Sequence, residues 1–128
     1  MNPSVVLIID DEKDICFLLG KVLTEKKYIV SIANNLDEGF NKLREINPSI
    51  LFLDIRLPDG SGLEALTEIR EHYPKMNIIM MSAYDGMQER KQAFENGADL
   101  FIGKPLNIEL INLNLQDIQS RIAKNNIE

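Results

Sequence analysis

A single cysteine, Cys16, rules out an internal disulfide in this 128-residue chain and fits a reducing compartment. A basic excess is also missing. Fourteen Lys and Arg against twenty Asp and Glu leave a net charge of -6, which argues against this chain alone gripping a nucleic-acid backbone. No apolar run approaches the roughly 20 residues that a membrane-spanning helix needs. The opening MNPSVVLIIDDE has no basic n-region, and its apolar run is too short for a signal sequence. Together these absences make a cytoplasmic location, with no membrane contact, the expectation. No linker, low-complexity stretch or repeat divides the chain, and the residues after Pro105 suffice for one helix only. One domain over residues 1–128 is therefore expected, with its core over about 4–122. With 45% hydrophobic and 27% charged residues, that domain has an ordinary globular composition.

What the chain does have is four short apolar runs, each stopping at a chemically distinct residue. VVLII leads into Asp10 and Asp11, ILFL into Asp54, IIMM into Ser82, and LFIG into Lys104 and Pro105. Continuous apolar runs of this length read as strands buried on both faces, the habit of a parallel sheet. YIVSIA (28–33) reads as a further strand. Between the strands, apolar residues fall at helical spacing. Ile15, Leu18, Leu19, Val22 and Leu23 make one such stripe, and Leu36, Phe40, Leu43 and Ile46 another. Asn35 with Glu38, and Ser61 with Glu64, have the spacing of capping boxes. Asn47-Pro48 and Gly97 stop helices, and Pro58-Asp59-Gly60 makes a turn. A last helix is expected from about Asn107 to Lys124. The order is (βα) five times, which implies a parallel sheet with right-handed crossovers and helices on both faces.

In such a sheet the carboxyl ends of the strands share one edge, where ligands bind. Asp10, Asp11, Asp54, Ser82 and Lys104 should converge there. Adjacent acids repel, and a hard divalent cation such as Mg²⁺ relieves the repulsion. A metal bridging Asp11 and Asp54 would neutralise charge where a phosphoryl group could pass onto the Asp54 carboxylate. Ser82 would then donate to one phosphoryl oxygen, and Lys104 would supply a point charge to another. Taken singly, each residue has a plainer reading. Asp10 or Asp11 would be a helix N-cap, Asp54 a loop acid, and Ser82 a satisfied hydroxyl at a strand end. It is their convergence, in this order, that points to phosphoryl chemistry.

The stretches LIIDDE (7–12), LFLDIRLPDGSGLEAL (51–66), IIMMSA (78–83) and GADLFIGKP (97–105) together resemble the receiver domains of two-component response regulators. The resemblance covers nearly the whole chain. It implies a flavodoxin-like, doubly wound α/β fold with a five-stranded parallel sheet in the order 2-1-3-4-5. It implies that Asp54 is the phosphoacceptor, with Asp10 and Asp11 as the acidic pair that holds Mg²⁺. The backbone carbonyl of Arg56 would be a further metal ligand. Ser82 and Phe101 would form the switch, and Lys104, joined to Pro105 by a cis bond, would be the phosphate-contacting lysine. The implied partners are a histidine kinase or phosphotransfer protein as donor, and a homodimer mate or output protein as receiver of the signal. The chain itself would not be an enzyme beyond catalysing its own phosphotransfer and dephosphorylation.

Departures from the family pattern are Phe101 where tyrosine is commoner and Leu106 where phenylalanine is common. Arg56 and Tyr84 occupy the two positions that flank the phosphoryl group and vary in the family. They either shield an acyl phosphate or point to solvent. On the last helix, Ile111, Leu115, Ile118 and Ile122 form the core stripe. Leu110 and Leu113 lie off it, and with Phe101 and the segment near Met87 they either form an apolar output patch or are buried by a rotated helix. His72, the only histidine, reads as a solvated helix-end residue, so phosphate must come from outside the chain. Two rivals share parts of the pattern. A flavodoxin-like cofactor protein needs a hydroxyl- and glycine-rich loop after strand one, where this chain has IDDEKD. An aspartyl-phosphate phosphohydrolase places its nucleophile and a second acid at alternate positions after the first strand and carries a cap domain, whereas here the acids are adjacent and no insertion has cap length.

Overall fold

Alternate residues along the central strands pack against different sets of helices. The computed structural model describes residues 4–84 and 86–127. The elements run β1 (Val5–Ile9), α1 (Lys13–Glu25), β2 (Ile29–Ala33), α2 (Leu36–Ile46) and β3 (Ile50–Asp54). A two-strand ribbon follows, β4 (Arg56–Leu57) and β5 (Gly60–Ser61). Then come α3 (Gly62–His72), β6 (Asn77–Ser82), α4 (Met87–Asn96), β7 (Leu100–Gly103) and α5 (Ile108–Ile127). The main sheet is parallel, in the order β2-β1-β3-β6-β7. Leaving the ribbon uncounted, this is the expected 2-1-3-4-5 order of a flavodoxin-like doubly wound fold.

The period of two along each strand divides the core in half. Val6, Ile8, Ile50, Phe52, Ile79, Met81 and Ile102 face α1 and α5, meeting Ile15, Leu19, Leu23, Ile111, Leu115 and Ile118. Leu7, Ile9, Leu51, Leu53, Ile78, Met80 and Phe101 face the other way, toward Leu43 of α2, Leu66 and Ile69 of α3, and Ala93 of α4. Because both faces are covered, every residue of β3 is buried.

Local chemistry places the helix ends. Asn35 accepts from the Glu38 N–H at 2.8 Å, and Ser61 from the Glu64 N–H at 3.3 Å, which makes both the N-caps expected from their spacing. Asn47, in the left-handed conformation at φ 44°, closes α2. The Pro58-Asp59-Gly60 turn forms the tip of the ribbon, with Gly60 at φ 153°. Its Asp59 carboxylate reaches the start of α2, accepting from the Leu36 N–H at 2.8 Å and the Asp37 N–H at 2.9 Å.

Candidate functional site

Asp10 leaves the end of β1 and Asp54 is the last residue of β3. These two strands are direct neighbours, with Ile9 opposite Leu53. The pairing brings both acids to one edge of the sheet, and both side chains are buried. Lys104 arrives from the end of β7, two strands away, where its backbone N–H donates to the Ser82 carbonyl at 2.8 Å. The Lys104–Pro105 bond is cis. The Lys104 side chain crosses the edge and is almost wholly buried. Its Nζ lies 3.0 Å from Asp10 Oδ2, 3.2 Å from Asp54 Oδ2 and 2.7 Å from Glu12 Oε1. One ammonium thus gathers three carboxylates from two segments.

Burial dominates the titration of the pair. It pushes the Asp54 carboxyl up to about 6, helped by the negative charge of Asp10, while Lys104 acts in the opposite direction. Burial also raises Asp10, against the lowering effects of the Glu12 amide and the Lys104 ammonium. For Lys104 the largest single influence is burial, which disfavours its charge. The carboxylates around it outweigh that burial and hold its pKa above the ordinary value.

Asp10 Oδ1 accepts from the Glu12 N–H at 2.8 Å, but the N-cap of α1 is Glu12 and no side chain caps that helix, so Asp10 is not the N-cap of the plain reading. Its Oδ2 is fully buried and receives no hydrogen bond of acceptable geometry, although the Lys104 ammonium stands 3.0 Å away. The ammonium relieves that oxygen by charge and leaves a lone pair unused. Oxygens of Asp10, Glu12 and Asp54 lie within 4.8 Å of one another, and no other such group of acids occurs among the described residues. A compact all-oxygen set with an unsatisfied buried acceptor suits a hard divalent cation such as Mg²⁺. Asp11 is exposed and stands outside this group. Glu12 is the member that the sequence reading did not single out, and its only signal was its place in the acidic run DDE.

Ser82 ends β6 and is buried. Its hydroxyl donates to Glu89 Oε2 of α4 at 3.2 Å and accepts from the Tyr84 N–H at 2.9 Å. The hydroxyl therefore ties the sheet edge to α4. Phe101 is only 6% exposed and packs in the core beside α4, with the Arg90 guanidinium 4.8 Å from its ring centroid. It therefore lies inward and contributes almost nothing to the exposed surface. Exposed apolar side chains include Met87 at the start of α4 and Leu110 and Leu113 on α5. Ile111, Leu115 and Ile118 are buried as expected, so the helical phase of α5 is the one read from the stripe.

Arg56 and Tyr84, whose two readings were open, find each other. The Arg56 guanidinium lies over the Tyr84 ring, 4.0 Å from its centroid. Both are exposed, and their stack joins the segments that follow Asp54 and Ser82. The backbone beneath is tight. Gly62 N–H donates to the Ile55 carbonyl, and a Cβ on Gly62 would fall 2.0 Å from the Asp54 carbonyl oxygen. Only glycine lets the chain return so close to Asp54.

Residues 6–116 match the family model described as the response regulator receiver domain. The transcriptional regulatory protein KdpE of Staphylococcus aureus is 37% identical over 125 residues, covering 98% of this chain and 53% of KdpE. The chain thus spans about half the length of that relative. A CheY-like response regulator receiver domain protein from Methanospirillum hungatei superposes with a TM-score of 0.90 at 27% identity, covering 97% of this chain and 99% of that one. A response regulator from Burkholderia pseudomallei, solved with a phosphorylated aspartic acid, calcium ion and citrate, gives a TM-score of 0.80 at 27% identity. There the coverage is 96% of this chain and 75% of that one.

Proposed function

The chain belongs to the response regulator receiver family, and on that premise we propose that it is the phosphoacceptor unit of a two-component phosphorelay, with Asp54 as acceptor. The observation that carries this reading is the buried Asp54 carboxylate at a strand end, with Asp10 and the Lys104 ammonium against it. The donor is a histidine kinase or phosphotransfer protein. An Asp54 carboxylate oxygen attacks phosphorus as the phosphorus–nitrogen bond of the donor phosphohistidine breaks, and the ring nitrogen keeps the electron pair. The product is an acyl phosphate on Asp54. Lys104, already held at this carboxylate, offers its charge to the incoming phosphoryl oxygens, and burial excludes water. The acids fit Mg²⁺, which when bound would neutralise charge between phosphoryl and carboxylate oxygens. Its holders would be Asp10, Asp54, Asp11 or Glu12, and the Arg56 carbonyl. The phosphorylated aspartic acid and calcium ion of the Burkholderia pseudomallei relative support the same chemistry on this fold.

The signal leaves through Ser82. Its hydroxyl is shared with Glu89, so a phosphoryl oxygen that claims this hydroxyl releases a tie to α4. Surfaces around α4 and α5, next to Phe101, then change for a homodimer mate or output partner. The chain acts as one cytoplasmic receiver unit, with no turnover of a separate substrate. Incubation with acetyl phosphate and Mg²⁺ should add one phosphoryl mass, and Asp54→Asn should abolish the adduct. An undiminished adduct in the variant would move the acceptor elsewhere. Turnover of a generic phosphomonoester would instead favour the phosphohydrolase reading.

A further inference from the structure

Asp59 is the only residue of the β4–β5 ribbon whose side chain hydrogen-bonds to α2 among the described residues, and it does so twice. We infer that Asp59 is a positioning residue, which bolts the ribbon after Asp54 to the N-terminus of α2 and so fixes the Arg56 backbone for metal binding. The inference rests on the phosphoacceptor reading of the site and deepens it.

The loop from Ile55 to Gly62 is held at two points. Its base is locked where Gly62 folds back on Asp54 and Ile55. Within the loop, Arg56 pairs with Ser61 and Leu57 with Gly60 across the ribbon. The tip projects over α2, where both Asp59 carboxylate oxygens take backbone N–H groups and Gly60 sits against the Leu36 side chain. Arg56 lies between these two points, and its guanidinium reaches onward to Tyr84. A short ribbon pinned only at its base would pivot there. The second pin removes that freedom at the Arg56 carbonyl and at the stack above the acids.

Asp59 does not merely supply a cap that α2 would otherwise lack. Asn35 already caps α2 through the Glu38 N–H. Asp59 takes the Leu36 and Asp37 N–H groups from a turn 22 and 23 residues further along the chain. The two capping residues therefore share a helix end but differ in what they join. Asn35 stabilises the helix alone, whereas Asp59 joins the helix to the acceptor loop.

That difference supplies the test. Mg²⁺ binding to the unphosphorylated full chain is measured by calorimetry for the wild type, Asp59→Ala, Asp59→Asn and Asn35→Ala, with amide exchange followed over residues 55–61. Asp59→Ala should weaken Mg²⁺ binding about tenfold and speed exchange in the ribbon, since loss of a group that orients a metal ligand typically costs about 10- to 100-fold in affinity. Asn35→Ala should lower thermal stability yet leave both readouts as in the wild type. Asp59→Asn, which keeps one acceptor oxygen, should fall between, and it carries the comparison if the alanine variant does not fold. Equal Mg²⁺ affinity or unchanged ribbon exchange in Asp59→Ala would overturn the inference, as would the same weakening in Asn35→Ala. A wild type that binds no Mg²⁺ and gains no phosphoryl mass from acetyl phosphate would instead overturn the functional reading. Ribbon exchange alone would then decide whether the tether exists.

Discussion

Asp54 makes stability depend on pH through its own titration. The Asp54 carboxyl titrates near 6 in the fold against an ordinary 3.8, so the folded protein holds a proton that the unfolded chain has lost. The native state therefore binds more protons between those two values, and stability falls as pH rises through that window. Below it the contribution vanishes, and above it the penalty is complete, at about 3 kcal/mol. Asp10 is raised by the same burial and acts in the same sense. Asp54→Asn removes the charge while leaving Lys104 against Asp10 and Glu12. In metal-free buffer the variant should be more stable than the wild type at pH 7, with a gap that closes toward pH 4. Urea unfolding across that range measures the gap, and Mg²⁺ should shrink it by favouring the ionised acids. A constant gap from pH 4 to 8 would mean that Asp54 does not titrate as described.

At the scale of elements, the strands and most helix ends were legible because their causes are local. Apolar runs of five or so residues define β1, β3 and β6, and caps three residues apart open α2 and α3. What stayed hidden depends on residues far apart in the chain. The Asp59 cap on α2, the Arg56–Tyr84 stack and the recruitment of Glu12 by Lys104 join residues 22 to 92 positions apart. The β4–β5 ribbon was read only as a turn, since two residue pairs leave no periodic signal. Burial of Phe101 was legible from its place in the apolar run LFIG, and its alternative place in an exposed patch is the reading that fails. The stripe of α5 was legible and gives a direct check. Leu115 is buried and Leu113 is 60% exposed, so Leu115→Ala should cost about 2–4 kcal/mol and Leu113→Ala under about 0.5. Thermal or urea melts of the two variants decide it, and similar losses in both would mean that α5 is rotated.

At the scale of the molecule, the net charge of -6 and the exposed Met87, Leu110 and Leu113 favour protein contact as the output. The chain covers about half the length of KdpE. For this chain alone, self-association is the measurable form. Sedimentation with beryllofluoride should show a shift toward dimer relative to the untreated protein. Leu110→Glu combined with Leu113→Glu should block the shift while Asp54 still accepts a phosphoryl group. No shift in the wild type would leave a different protein as the partner, and loss of folding in the double variant would contradict the exposure of these leucines.

The lone thiol offers one further handle. Cys16 is buried under the Asp10 backbone, donating to its carbonyl oxygen at 3.4 Å, and burial pushes its pKa up to about 11. Such a thiol is nearly inert until the chain opens around it. Its labelling rate is then a clock for how often the β1–α1 corner comes apart, read without any engineered probe. Anything that grips Asp10 should slow that clock through mass action on the closed state. Mg²⁺ should therefore lengthen the half-life of Cys16 against an alkylating reagent, although it never touches the sulfur. A rate indifferent to Mg²⁺ would mean that the corner opens independently of what the acids hold.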